Sequence, residues 1–414
     1  MHILQVCPRV PYPPHDGGAI AMYDVAAGLA RAGHLVTVLA LNTPKHRQPA
    51  TALDHLGRNV RLVTVDVNTD LSPVKALKNL LLSRRPYNVE RFISEPVGER
   101  LLEILRTGTV DIVQLEGTFV AWYAEQLGLQ KSAGLQVPPL VLRAHNVEYT
   151  IWQMLAARAG NPLKRVYLRN MAARLEQFER RYLPQFDAVA AITEDDAVRL
   201  RALGCPEPVV FVPAGVELTR FSVDPSIKSK PRTLLVIGSL NWLPNLEALE
   251  WLLREIWPTV HAEMPDVELH VAGSGTPEEL LRPRTDNVFV HGFVDSAAAF
   301  MQQYELMLVP LLSGGGMRIK IIEGMALGKA ILSTPIGAEG IAVRDGHDML
   351  LRTTAAEWLD ALRAWYRGAV PVATIGAEAA RTAAGLYDNR RVVERFESLY
   401  QVLLDQRKPE NPTI

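Results

Sequence analysis

A run of glycines followed by two cationic side chains is the part of the sequence that most directly suggests chemistry. Three glycines occupy positions 314–316 after a predicted buried strand, and a helix is predicted to begin near Met317. Arg318 and Lys320 therefore lie at the start of that helix, where the helix dipole favours anions over cations. Glycine also lets backbone N–H groups approach a ligand closely. These features predict a phosphate or diphosphate site. The Arg318 guanidinium would donate two parallel hydrogen bonds to the anion, and the Lys320 ammonium would act as a point charge.

The same residues allow a simpler interpretation, which the sequence leaves open. Lys320 and Glu323 are three residues apart on the predicted helix and could form a surface ion pair, while Arg318 could be solvated. If the anion site exists, the Glu323 carboxylate could instead accept hydrogen bonds from the vicinal diol of a ribose. The nucleoside would then lie on the carboxylate side and the phosphates on the glycine side.

Polar residues also follow predicted strands in the first half of the chain. His145, Asn146 and Glu148 follow the predicted strand 140–143, and Glu116 ends another strand. A histidine at the carboxyl edge of a sheet is well placed for chemistry, although a lone histidine can equally be structural. We therefore take His145 as a candidate catalytic residue and the other three as candidates for contact with a substrate.

Strands and helices alternate along both halves of the chain. The predicted strands are residues 2–7, 35–41, 60–67, 112–115, 140–143, 188–192, 234–237, 267–271, 288–291 and 306–310. Such alternation predicts parallel sheets covered by helices on both faces, so the fold class is α/β with two Rossmann-like, doubly wound domains. Ligands of open α/β sheets bind at the carboxyl ends of the strands, which places the expected site in a cleft between the two domains.

A segment rich in proline, serine and charge separates the two strand–helix patterns, as expected of a linker. We predict an N-terminal domain at 1–212, a linker at 213–232 and a C-terminal domain at 233–390. Residues 391–414 are predicted to form a closing helix with a frayed tail.

Composition excludes several classes of protein. The 414 residues carry 44 basic and 45 acidic side chains, which argues against a dedicated nucleic-acid binder. Two cysteines exclude a disulfide framework and a cysteine-rich zinc module. The sequence has no Asp-x-Asp pair, so we expect neither a metal-held diphosphate nor a cofactor. It also has no signal peptide or long apolar run, so we expect a cytoplasmic protein.

One basic stretch has two interpretations. The first 220 residues hold 25 basic and 21 acidic side chains, and much of the excess lies between 158 and 181. The basic residues of this stretch are Arg158, Lys164, Arg165, Arg169, Arg174, Arg180 and Arg181. They form either a solvated helical face or a peripheral contact with anionic lipid on the inner face of a membrane.

The sequence resembles family 4 of the retaining glycosyltransferases, which have the two-domain GT-B fold, and the resemblance covers nearly the whole chain. It rests on Gly-Gly-Gly-Met-Arg-Ile-Lys-Ile-Ile-Glu-Gly-Met-Ala-Leu-Gly-Lys at 314–329, Ser333-Thr334, Gly337-Ala-Glu-Gly-Ile341, Gly238-Ser-Leu-Asn-Trp-Leu-Pro-Asn245 and Val212-Pro-Ala-Gly-Val216. The resemblance implies that Arg318 and Lys320 hold the donor diphosphate during catalysis and that Glu323 binds the ribose.

The sequence departs from much of the family at one position. Many members carry two glutamates separated by seven residues; here Glu323 matches the second, and Gly315 occupies the place of the first. A branch of the family has this glycine-rich, Arg-x-Lys version. The backbone N–H groups of Gly316 and Met317 are our candidates for the contacts to the donor sugar.

The resemblance implies roles for further residues. Gly17 and Gly18, which open the first helix, and Gly238 would approach the donor, although the first two could equally form an ordinary turn. Phe293 would lie near the base or serve only in packing. His145 would contact the donor sugar or the acceptor.

The resemblance also divides the roles between the two domains. The N-terminal domain would be the acceptor-side domain, with Glu116, Asn146 and Glu148 on the acceptor side. The C-terminal domain would be the nucleotide-sugar-binding domain.

The expected function is retaining, metal-independent transfer of a hexosyl group from a nucleoside-diphosphate sugar to a glycan or lipid-linked acceptor, in cell-envelope or extracellular polysaccharide biosynthesis. Two alternatives stay open. One is a nucleotide-sugar 2-epimerase of the same fold, which would need acid and base carboxylates in the cleft. The other is a catalytically silent subunit that supports a partner transferase.

Overall fold

The structure is a computed structural model that describes residues 1–205, 208–221, 223–280, 287–314 and 317–407. Its strands are β1 (His2–Cys7), β2 (Leu35–Asn42), β3 (Val60–Asp66), β4 (Ile112–Glu116), β5 (Leu140–Ala144), β6 (Ala188–Ala191), β7 (Val209–Phe211), β8 (Lys230–Ile237), β9 (Glu268–Ala272), β10 (Val288–Gly292), β11 (Tyr304–Val309), β12 (Ala330–Ser333) and β13 (Leu350–Leu351).

The α-helices alternate with these strands. They are α1 (Gly17–Arg31), α2 (Pro73–Leu82), α3 (Tyr87–Glu90), α4 (Glu95–Thr107), α5 (Trp122–Ser132), α6 (Glu148–Arg158), α7 (Pro162–Tyr182), α8 (Glu194–Ala202), α9 (Leu243–Trp251), α10 (Trp257–Glu263), α11 (Ala297–Gln302), α12 (Ile319–Ala326), α13 (Ala355–Tyr366), α14 (Val372–Leu386) and α15 (Asn389–Asp405). A π-helical segment, Leu252–Ile256, joins α9 to α10.

The chain divides into two compact units. The first contains Met1–Gly215 and Arg390–Ile414, and the second contains Val216–Asn389. The predicted linker therefore does not stand apart, because the backbone N–H of Val216 donates to Tyr387 O at 2.8 Å and ties this segment to the end of the second unit.

The first unit is built on a parallel sheet of order β3-β2-β1-β4-β5-β6-β7. Side chains on successive strand positions point to opposite faces. Leu4 and Val6 accordingly join the apolar core on one face, and Ile3 and Cys7 join the core on the other. Helices cover both faces, as the buried apolar strands predicted.

Helix α15 closes the second of these cores. Phe396 and Tyr400 are fully buried there, against Ile3 of β1. The helix that was predicted as a separate closing element is therefore an integral part of the first unit. Its tail, 408–414, lies outside the described residues.

The second unit has a parallel sheet of order β10-β9-β8-β11-β12-β13. Its core includes Trp257 and Trp358, which are both buried. A close backbone approach fixes α14 against the turn before β12. A Cβ at Gly376 would lie 2.0 Å from Gly328 O, so a side chain has no room there.

Every predicted strand is present, with ends shifted by a few residues. Strands β7, β12 and β13 were not predicted, because two to four residues carry too little periodicity to be recognised. Of the helices in the described part of the chain, none is both long and apolar enough to cross a membrane.

Candidate functional site

Arg318 lies immediately before the first turn of α12, where the sequence placed it. Its side chain is only 6% exposed. The guanidinium carbon lies 5.5 Å from the centre of the Trp242 ring, within range of a cation–π contact. Gly314, with φ +112°, leaves room for both groups, since a Cβ there would lie 2.8 Å from Arg318 Nη2. Gly315 and Gly316 lie outside the described residues.

Lys320 lies on the first turn of α12 and is held by the loop after β8. Its Nζ donates to Asn245 Oδ1 at 3.0 Å, while Asn245 Nδ2 donates to Ser239 O at 2.9 Å and so fixes the amide. A Cβ at Gly238 would lie 2.8 Å from Lys320 Nζ. Glycine at 238 therefore makes space for the ammonium group.

The electrostatics of this pair favour a bound anion. Burial, reinforced by the nearby Arg318 charge, lowers the pKa of Lys320 to about 7, and Glu323 opposes that shift. Burial also lowers the pKa of Arg318. An anionic ligand would offset the mutual repulsion of the two cations and their loss of hydration. The charge and position of these side chains at the start of α12 therefore suit a phosphate ligand.

The other predicted donor residues of the second unit are more exposed. Met317 precedes Arg318 and is half-buried, and Glu323 is half-buried in α12. Phe293 follows β10 and is 62% exposed. Its exposure leaves the ring accessible to a ligand.

The first unit has its own cavity, of about 560 Å³. The cavity lining includes five residues predicted from the sequence: Gly18, Glu116, His145, Asn146 and Glu148. It also includes the basic side chains Arg9, Lys45, His46 and Arg91, which the sequence analysis did not single out. Cationic and acidic groups therefore line one cavity, together with apolar side chains such as Met22 and Phe92.

Glu116 is the buried centre of a hydrogen-bond network at the carboxyl end of β4. Its Oε2 lies 2.7 Å from His145 Nε2 and 3.7 Å from Arg143 Nη1. Its Oε1 accepts hydrogen bonds from Gln5 Nε2 at 2.7 Å and from Gln114 Nε2 at 2.6 Å. These contacts follow from register, because Gln5 pairs with Gln114 and Glu116 pairs with Arg143 across adjacent strands.

This network determines the proton position on His145. Burial alone would raise the pKa of Glu116, but the Arg143 charge and the hydrogen bond from His145 outweigh burial and lower it. The carboxylate is therefore ionised and needs a donor, so His145 Nε2 carries the proton. Glu116 is 1% exposed and its oxygens are engaged within the protein, so its contact is with His145.

Two buried carboxyl groups lie at the start of α6. Burial raises the pKa of Glu148 to about 7, and Asn146 Nδ2 donates to its Oε1 at 3.4 Å. Glu179, from α7, accepts from the backbone N–H groups of Glu148 at 2.9 Å and Tyr149 at 3.2 Å. Burial, with the nearby Glu148, raises its pKa to about 8. Glu179 thus accepts hydrogen bonds from backbone N–H groups at the α6 N-terminus that have no partner within the helix.

The glycine loop before α1 is stabilised from within the first unit. The Asp16 carboxylate accepts from the N–H groups of Gly18 and Ala19, both at 3.1 Å, and forms an ion pair with Arg9. Gly17 is the first residue of α1. In this structure a protein carboxylate therefore occupies the anion-binding end of α1.

Sequence reasoning missed several residues of these sites. Trp242 and Asn245 lie within the Gly238–Asn245 motif, so the motif was a usable signal although no role was assigned to its side chains. Arg91 and Glu179 carried no such signal, because only the folded chain brings them to the cavity or to α6.

Comparison with known families covers both units. Residues 15–220 match the family described as Glycosyltransferase Family 4, and residues 231–367 match the family described as Glycosyl transferases group 1. A Klebsiella pneumoniae protein named "Uncharacterized 44.6 kDa protein in cps region" is 23% identical over 359 residues, which cover 84% of this chain and 87% of that protein.

Solved structures share the fold at low sequence identity. Sucrose-phosphate synthase from Thermosynechococcus elongatus superposes with a TM-score of 0.72 at 16% identity, covering 98% of this chain and all of that one. Anabaena HepE in complex with UDP superposes with a TM-score of 0.66 at 14% identity, covering 97% and 100%.

The two parallel α/β units and the likeness to these solved structures define the GT-B fold, and the two family matches define a glycosyltransferase. The two family matches together extend over most of the chain. The protein belongs to family 4 of the glycosyltransferases.

Proposed function

We propose that the protein is a retaining, metal-independent hexosyltransferase that uses a nucleoside-diphosphate sugar. The observation that carries the proposal is the pair Arg318 and Lys320 at the start of α12, supported by Trp242 and Asn245. These two cations would supply the charge stabilisation that a divalent metal supplies in other transferases. Anabaena HepE, which shares the fold and was solved in complex with UDP, supports a nucleotide donor of this kind.

Donor binding would use residues of the second unit. Arg318 and Lys320 would hold the diphosphate, and the ribose diol would donate to Glu323. The hydrogen bond from Lys320 to Asn245 and the stacking of Arg318 on Trp242 orient both cations before the donor arrives. Preorganised charges of this kind stabilise a transition state without reorganising during the reaction.

The transfer step keeps the sugar configuration. The bond between the sugar C1 and the diphosphate oxygen breaks, and its electron pair leaves with the nucleoside diphosphate. The acceptor hydroxyl oxygen bonds to C1 on the face that the diphosphate leaves, and its proton passes to a departing phosphate oxygen. Charge-assisted hydrogen bonds from Arg318 and Lys320 would contribute about 1.5–3 kcal/mol each. Together they correspond to a rate factor of about 10² to 10⁴.

Acceptor binding would use the cavity of the first unit. Its size, about 560 Å³, suits one or two sugar rings. His145, held by Glu116, would contact the transferred sugar or the acceptor. The K. pneumoniae relative, whose name places it in a cps region, supports a glycan or lipid-linked acceptor in envelope or extracellular polysaccharide biosynthesis.

The test is turnover of a panel of UDP-, GDP-, ADP- and dTDP-sugars with and without a lipid-linked glycan acceptor. We expect one donor to be consumed only when acceptor is present. Donor conversion without acceptor would identify an epimerase, and donor binding without turnover would identify a silent subunit; either result contradicts the proposal.

A matched pair of variants tests the site itself. Arg318→Ala with Lys320→Ala should fold normally and lose transfer by about 10² to 10⁴ in kcat/KM. Lys228→Ala with Arg254→Ala removes two exposed cations of the same unit and should leave transfer unchanged. Near-native turnover in the first double variant would show that the diphosphate binds elsewhere.

A further inference from the structure

Helix α2 has the reverse of the usual amphipathic arrangement. Val74, Leu77, Leu81 and Leu82 are 78%, 58%, 72% and 77% exposed, although they recur at the three- and four-residue spacing of one helix face. Leu71, two residues before the helix, is also 75% exposed. A soluble surface helix normally turns such a stripe toward the core.

Polar contacts, together with the packing of Ala76 against the apolar core, fix the opposite side of α2. Asn79 is its buried residue, and its Nδ2 donates to Glu90 Oε2 at 2.7 Å and to Arg85 O at 3.1 Å. Arg174 of α7 donates to Asn79 O at 3.3 Å and to Leu80 O at 2.8 Å. These bonds hold the helix with its apolar stripe outward.

The charged residues of α2 and of the turn that follows it are all basic. Residues 71–89 include Lys75, Lys78, Arg84 and Arg85 and no aspartate or glutamate. All four basic side chains are exposed. A helix whose exposed stripe is valine and leucine and whose own charged residues are all cations has the pattern of a helix that lies in the interface of an anionic bilayer.

Helix α7 extends the surface. Leu163 and Val166 are 82% and 65% exposed, and they share a helix face with Arg174, which contacts α2. Val166 lies about 12 Å along the helix axis from Arg174. Lys164 and Arg169 are exposed beside them. Of the other basic residues in this stretch, Arg180 and Arg181 form ion pairs with Glu176 and Glu125. The side chain of Arg158 is outside the described part of the chain.

We propose that the apolar stripe of α2, with the exposed start of α7, docks the first unit on an anionic phospholipid surface. Leu71, which precedes α2, is exposed and also lines the 560 Å³ cavity, so the cavity opens beside the docked helix. The acceptor is then a lipid-linked molecule whose polar end enters the cavity from the bilayer. This last step rests on the proposed function.

The docking test is co-sedimentation of the full chain with vesicles. Wild type should bind vesicles containing phosphatidylglycerol and bind pure phosphatidylcholine at least tenfold more weakly. Leu77→Glu with Leu81→Glu should lower the partition coefficient by at least tenfold, about 1.4 kcal/mol. Leu129→Glu changes a leucine that is 67% exposed on α5 and should bind like wild type.

Three results would overturn the docking surface. The first is equal binding to both lipids, and the second is unaltered binding of the α2 variant. The third is a wild-type dimer in sedimentation velocity that the α2 variant dissociates, because the stripe would then cover a second copy of the chain.

A transfer assay separates this inference from the proposed function. The α2 variant should keep wild-type turnover of a water-soluble acceptor and lose at least tenfold with the same glycan embedded in vesicles. Equal turnover of the embedded acceptor by the variant and the wild type would overturn the inference. Vesicle binding that depends on α2, in a wild-type chain that transfers to neither acceptor, would support docking and refute the transferase proposal.

Discussion

Replacing Glu116 by glutamine tests whether the buried network at the end of β4 has the organisation inferred from its distances. Both Glu116 and Arg143 have fully buried side chains, and the substitution leaves the Arg143 charge without a counter-ion. Removing one partner of such a pair costs about 3–5 kcal/mol. The glutamine amide also adds two N–H donors to a site where His145, Gln5 and Gln114 already donate.

The expected result is a less stable first unit. With an m-value of about 2–3 kcal/mol/M, the loss would lower the urea midpoint by about 1–2 M. Because two units need not unfold together, the assay is native-state hydrogen exchange of the β4 and β5 amides in urea. Glu176→Gln is the matched control, since its pair with Arg180 is exposed and worth about 0.3–0.5 kcal/mol.

The sign of the pH dependence gives a second check. The folded-state pKa of Glu116 is lowered, so its stabilising contribution is present above the unfolded value of about 4.3 and is lost as pH falls through the folded value. The difference between wild type and Glu116→Gln should shrink in acid. Equal protection of β4 in the two proteins at pH 7 would refute the proposed charge pairing.

Three further predictions concern single residues. The pKa of about 7 for Lys320 means that UDP affinity, measured by calorimetry, should weaken as pH rises from 7 to 9, and Lys320→Met should bind weakly at every pH. Gly238→Ala should displace Lys320 Nζ, 2.8 Å from the new Cβ, and weaken donor binding; Gly385→Ala on α14, with open space around it, should bind like wild type. Glu148 has a folded pKa raised to about 7, so its contribution to stability is lost as pH rises from about 4.3 through 7. The Glu148→Gln variant should therefore unfold at a higher urea concentration than the wild type at pH 8.5. At pH 5 its urea midpoint should not be higher than that of the wild type.

Much of the fold could be predicted because its strands are continuous apolar runs. His2–Cys7 and Leu35–Asn42 are central strands of a parallel sheet that is buried on both faces. Each is therefore a short, mainly apolar run of sequence, and that run was enough to predict the strand. The short strand Leu350–Leu351 could not be recognised, because two residues show no period. The place of α15 in the first unit depends on contacts between residues far apart in the sequence, such as the hydrogen bond from Tyr400 to Gln114, and local patterns carry no such information.

The candidate sites divide in the same way. Arg318 and Lys320 could be predicted because their spacing from the helix start is local. The Gly238–Asn245 motif marked the loop that holds Trp242 and Asn245, but their contacts could not be predicted, because these arise from the approach of the β8–α9 loop to α12. The sequence also misleads for α2, where leucines at helical spacing suggest a buried face and the structure exposes it. The polar bonds of Asn79 and Arg174, which decide that orientation, join residues 95 positions apart.

The free protein tolerates two neighbouring cations because one of them can lose its proton. Burial and the Arg318 charge lower the pKa of Lys320 to about 7, so Lys320 can lose its proton near neutral pH, which reduces its repulsion with Arg318. A diphosphate between the two groups would restore the proton, so ligand binding and proton uptake are linked. The arrangement therefore favours a ligand with at least two negative charges, since a single charge would leave part of the repulsion uncompensated. Inorganic diphosphate should accordingly stabilise the second unit against heat more than acetate at equal concentration, and it should do so only while Arg318 and Lys320 are both present. Equal stabilisation by the two anions would show that the pair is an ordinary basic surface rather than a diphosphate site.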